Sequence, residues 1–123
     1  MNRLSPEEMG KILAGLHSAS PAVRAALLVG TDGTLLGSHG TTPTERAQLS
    51  AVSAAAVAIG RKAARNMSLG DLERIHLHGS SGSILLVSVG EKAILVMVHS
   101  NEEAPDAVLA ATRSVLHNIE GLV

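Results

Sequence analysis

Residues 84–100 read ILLVSVGEKAILVMVHS, and few folds accommodate such a stretch. Two apolar runs, 84–89 and 93–98, flank Gly90-Glu91. Each is too short for an ordinary helix and rich in β-branched residues, and the Gly-led two-residue break between them reads as a tight hairpin. In extended chain Ile84 and Leu86 point one way, and Leu85, Val87 and Val89 the other. Leu95 and Met97 likewise oppose Ile94, Val96 and Val98. A hairpin apolar on both faces needs cover on both, so it belongs at the centre of a sheet with helices above and below.

The remaining chain supplies that cover. Ser5-Pro6-Glu7-Glu8 is a helix start with a capping-box acid, and Met9, Ile12, Leu13 and Leu16 follow on one side, giving a helix over 6–18. Ser20-Pro21 ends it. Residues 25–29 and 34–39 form a first hairpin around Gly30-Thr31-Asp32-Gly33, and Gly37 and Ser38 place its second strand on a sheet edge. Thr42-Pro43-Thr44-Glu45 repeats the capping chemistry and opens a long helix over 43–67. Leu49, Val52, Ala56, Ile59 and Ala63 form one stripe of that helix, assigned here to the sheet. Ala47, Ala51, Ala54 and Ala58 form another, whose small side chains let a second backbone approach and which is assigned to a partner. Gly60 lies inside the helix at a cost of about 1 kcal/mol relative to Ala, consistent with close packing. Arg61, Lys62 and Arg65 complement the dipole near its C-terminal end.

Residues 72–78 are a third extended segment. Ile75 and Leu77 face one way and Arg74, His76 and His78 the other, a one-sided pattern suited to an edge strand. Gly79-Ser80-Ser81-Gly82 turns into the central hairpin. A last helix over 103–119 carries Val108, Thr112, Val115 and Ile119 on one stripe, with Pro105 acceptable only in its first turn. The fold class is α/β (α+β), in the order α-β-β-α-β-β-β-α. The arrangement is a three-layer sandwich with a five-stranded antiparallel sheet in order 2-1-5-4-3. The long helix covers one face and the terminal helices the other. At 123 residues the chain reads as a single domain, 1–123.

Composition narrows the function. The chain has no Phe, Tyr or Trp, so the core is aliphatic and there are no platforms for stacking bases. A net charge of -1 without a basic run argues against nucleic acid. With no Cys there is no disulfide frame, thiolate nucleophile or Cys-based zinc site, which fits a cytoplasmic setting. The N-terminal MNRLSPEEMGKIL lacks the apolar core of a secretory signal, and no apolar run is long enough for membrane insertion.

The run Ala25-Ala26-Leu27-Leu28-Val29-Gly30-Thr31-Asp32-Gly33-Thr34-Leu35-Leu36-Gly37-Ser38, the Ala-rich second helix and Val89-Gly90-Glu91-Lys92 within residues 84–98 together resemble the roadblock (dynein light chain) family. Within it, they are similar to the bacterial MglB-like regulators of small Ras-like GTPases. The resemblance spans nearly the whole chain and rests on the order of apolar and glycine patterns. One departure is Asn101-Glu102-Glu103-Ala104-Pro105-Asp106, where many relatives carry a Leu-Gly-containing link. The resemblance implies a non-enzymatic module that pairs through its long helices and third strands, and whose joined helix surface receives a Ras-like GTPase. The expected dimer and partner interface is Ala47, Ala51, Ala54, Ala58, Arg61, Ile75, His76, Leu77 and His78, with no catalytic residue, metal or cofactor. Two alternatives stay open: a scaffold with a non-GTPase partner, and a small-ligand or metal sensor on the same sheet.

Four chemical readings have simpler competitors. His76 and His78 share a strand face and could share a metal, but two ligands fall short of a closed site, and a polar edge face explains them as well. Gly79-Ser80-Ser81-Gly82 lacks the Gly-Lys-Ser/Thr of a P-loop and reads as a hairpin turn. Ser80 and Ser81 have no identifiable base or oxyanion hole, so hydrolysis finds no support. Arg61, Lys62 and Arg65 read as a solvated helix end, and an arginine finger is not assumed.

Overall fold

The computed structural model describes residues 4–123. The first three residues of the N-terminal segment read above for a secretory signal lie outside it. Three helices and five strands occupy the described residues: α1 (Pro6–Ala19), β1 (Val23–Gly30), β2 (Leu35–His39), α2 (Pro43–Asn66), β3 (Arg74–Gly79), β4 (Gly82–Val89), β5 (Ala93–His99) and α3 (Pro105–Glu120). The strands form one sheet in order β2-β1-β5-β4-β3, antiparallel throughout. Element order, strand order and layering follow the sequence expectation.

Local chemistry explains the boundaries. The Glu8 N–H donates to Ser5 Oγ at 3.1 Å while Glu8 Oε1 accepts from the Ser5 N–H at 3.0 Å. Thr42 and Glu45 repeat the exchange at the start of α2, at 3.2 and 2.9 Å. The Ser5 backbone N–H, and secondarily its side chain, holds the Glu8 carboxyl below the usual carboxylate range, and the Thr42 backbone N–H does the same first for Glu45. α3 differs. Its N-cap is Ala104, which makes no side-chain hydrogen bond, and Pro105 occupies the first turn, so the helix begins two residues later than the expected 103. The central hairpin also departs from expectation. Val89 pairs with Ala93, so the loop is three residues, 90–92, with Gly90 at φ 63°. The two-residue loop is instead Ser80-Ser81, closed by the Gly79–Gly82 pair.

Each sheet face has its own core. Met9, Leu13 and Leu16 of α1 and Val108, Leu116 and Ile119 of α3 pack on Ala26, Leu28, Leu85, Val87, Leu95 and Met97. On the other face Val57 of α2 packs on Leu27, Val29, Leu86, Ile94 and Val96, with Leu49, Ala56, Leu72, Ile75 and Ile84 half-buried at its margin. Full burial of one Leu or Ile contributes about 1.5–3 kcal/mol, so the α1/α3 side carries most of the apolar stabilisation. α1 lies very close to β2. A Cβ built on Gly37 would stand 2.5 Å from Met9 Cγ, and one on Gly10 2.9 Å from the Ser38 carbonyl oxygen. Only glycine permits that approach.

Candidate functional site

The rotation of α2 about its axis differs from the sequence expectation. Its sheet-facing residues are Ser50, Ser53, Val57 and Ala64. Val52 is 54% and Ile59 70% exposed, so the stripe assigned to the sheet is largely not on it. The physical reason is that small residues let the helix sit low, and the seat lies between the two stripes. Each stripe thereby becomes a flank. A Cβ on Gly60 would stand 3.0 Å from Leu72 Cδ2 and 3.1 Å from Ile75 Cδ1, so the neighbouring flank, Leu49-Val52-Ala56-Ile59-Ala63, leans toward β3. The other flank, Ala47, Ala51 and Ala54, lines a groove with Asp32, Gly33 and Leu35 at the β1–β2 turn. Ala47, Ala51 and Ala58 are exposed and Ala54 half-buried.

β3 is the open edge of the sheet. Its residues are exposed except Ile75, which is half-buried, and Leu77 is 42% exposed on the α2 face. The register sets Ile75 opposite Leu86 and Leu77 opposite Ile84, continuing the α2-side face outward. Val52, Ile59 and Leu77 thus present large apolar side chains beside unpaired strand backbone. An edge of this kind is a template for another strand.

His76 and His78 lie on the opposite face, paired with Leu85 and Ser83. His99, which the sequence reading did not single out, joins them. Its ring stacks on His76 with centroids 6.0 Å apart and planes 14° apart. The signal was available in the period-two alternation of β5, which places His99 on the face of Met97 and Leu95. Among the described residues no group of three or more His, Asp or Glu stands placed to hold a metal ion. Arg61 is half-buried and lines a cleft with Arg65, Arg74 and Arg113, balanced by Asp71, Glu73, Glu91 and Glu120. Arg74 also pairs with Asp106 at 2.9 Å, an exposed ion pair that contributes little. Ser80 and Ser81 are exposed loop residues, and the His78 hydrogen bond runs to Ser83 instead. No described helix is long and apolar enough to cross a membrane.

The Roadblock/LC7 domain family model matches residues 8–99. The chain belongs to the Roadblock/LC7 family. No curated protein matches it. Among solved structures it is similar to MglB of Myxococcus xanthus, with TM-score 0.84 and 18% identity over 94% of both chains. A Roadblock/LC7 domain from Streptomyces avermitilis gives TM-score 0.84 and 18% identity over 91% of this chain and 94% of that one. An MglB with a tetrameric arrangement gives TM-score 0.83 and 17% identity over 99% and 92%. At these identities the structural likeness establishes the fold.

Proposed function

We propose that this Roadblock/LC7 chain is a non-enzymatic homodimeric scaffold that binds and regulates a small Ras-like GTPase in the cytoplasm. The observation that carries the first half is the exposed apolar flank of α2, Val52 and Ile59, beside an unpaired β3 edge bearing Ile75, His76, Leu77 and His78. A two-fold axis beside β3 makes both contacts self-complementary and extends the sheet across two copies. The tetrameric arrangement of one MglB relative supports self-association as a habit of the fold. The second flank, Ala47, Ala51, Ala54, Ala58 and Arg61, then remains on the outer surface and is the surface assigned to the GTPase.

The two contacts separate experimentally. Light scattering should report a dimer, and immobilised protein should retain a cognate small GTPase in one nucleotide state, GDP or GTP, over the other. Ala54→Arg should abolish that capture and leave the dimer intact. A monomer at micromolar concentration overturns the pairing, and equal or absent capture of both loaded forms overturns the GTPase assignment.

A further inference from the structure

The imidazoles of β3 have an arrangement that a polar edge face does not require. His78 Nδ1 lies 3.1 Å from Ser83 Oγ, and the Ser83 hydroxyl donates to Asn101 Oδ1 at 2.6 Å. Asn101 Nδ2 donates to the Gly79 carbonyl at 2.8 Å, which fixes the amide so that its oxygen faces Ser83. With its own proton committed to Asn101, the Ser83 oxygen accepts from His78 Nδ1–H. The tautomer follows: the lone pair of His78 is on Nε2. Holding the far ring nitrogen by a protein acceptor while the near one is left bare is the supporting arrangement of a metal-ligating imidazole.

His76 stands beside it. The two rings are 5.8 Å apart between centroids and tilted by 49°, both on exposed residues. Two imidazoles on one tetrahedral ion, with metal–nitrogen bonds near 2.0–2.1 Å, have centroids roughly 5 Å apart, so a small side-chain rotation closes the pair. His76 is backed by His99, which is 1% exposed and donates Nδ1–H to the Ser100 carbonyl at 2.8 Å. That stacking limits the rotation of the His76 ring, so His99 is a positioning residue. Its own Nε2 is buried without a partner.

We infer that His76 and His78 chelate a borderline divalent transition-metal ion, Zn²⁺ or Ni²⁺, through their Nε2 atoms on the free edge of the sheet. Imidazole nitrogen suits these ions, and two ligands in a single chain leave coordination positions open. The β3-to-β3 pairing proposed above, on which only the stoichiometry rests, fills them. Antiparallel pairing keeps His76 and His78 of both copies on one face, and pairing centred on Leu77 sets His76 of each copy opposite His78 of the other. Four imidazoles then meet at the two-fold axis, which matches the four-coordinate preference of zinc.

Calorimetric titration of the full chain with ZnCl₂ and NiCl₂, and sedimentation with and without metal, test this. The wild type should bind one ion per two chains and His76→Ala/His78→Ala should weaken binding at least a hundredfold, with His76→Gln and His78→Gln each weakening it at least tenfold. One ion per chain with the same losses also supports the chelate, while showing that β3 is not the pairing edge. Binding unchanged in the double variant, or no saturable binding by the wild type, overturns the inference, and a dimer that persists in that case leaves the scaffold reading standing.

Discussion

The two edges of the sheet are treated in opposite ways. β2 is finished inside the chain: α1 lies on it so closely that Gly10 and Gly37 are needed at the crossing. β3 is left bare, with Leu77 exposed and three of its side chains turned to a face that α1 and α3 do not fully cover. Both are short edge strands, and only one is protected. Natural proteins usually blunt such edges, so the unprotected one is where a second chain is expected.

Four changes test that contrast, the largest first. Gly37→Leu drives a side chain into Met9 at the covered edge and should destabilise the chain by about 3 kcal/mol, read as a fall in Tm of roughly 10 °C. Leu77→Glu at the open edge should leave monomer stability within about 0.5 kcal/mol, because the residue is exposed, yet raise the dimer dissociation constant more than tenfold by sedimentation. A Leu77→Glu chain that unfolds instead would show that β3 is structural in the same sense as β2. Ser5→Ala removes the cap of the helix that covers β2 and should cost about 1 kcal/mol in denaturant unfolding without altering assembly. The smallest effect is with pH. The Glu8 carboxyl is held below its ordinary value of 4.5, so its contribution is complete above that pH and is lost as pH falls through the lowered native value. Glu8→Gln should therefore flatten the acid limb of stability below about pH 4.5 and leave the dimer constant at pH 7 unchanged.

What the sequence disclosed and what it withheld follow from the same physics. Turn and cap chemistry announces itself in residue type: Ser5-Pro6-Glu7-Glu8, Thr42-Pro43-Thr44-Glu45 and Gly79-Ser80-Ser81-Gly82 each gave an element boundary to within a few residues. The two-faced runs at 84–89 and 93–98 required cover on both sides, and α2 and the α1/α3 pair supply it. The rotation of α2 is not legible in the sequence, because side-chain size does not mark its buried face. Ser50 and Ser53 are buried precursors of close approach, and Val52 and Ile59 were free to face outward. The start of α3 was misplaced because Ala104 offers no capping side chain. His99 was overlooked because it sits 21 residues past His78 in sequence, and only the β3–β4–β5 register, His78 to Ser83 to His99, carries one to the other.

The seating of α2 on Ser50, Ser53, Ala64 and one larger aliphatic, Val57, has a consequence for amide hydrogen exchange. With so little oily surface under it, this helix should release its protons to solvent at a lower opening free energy than β1, β5 or α1. Any protein clasping its outer flanks would then slow exchange there first, so the same segment would also report occupancy.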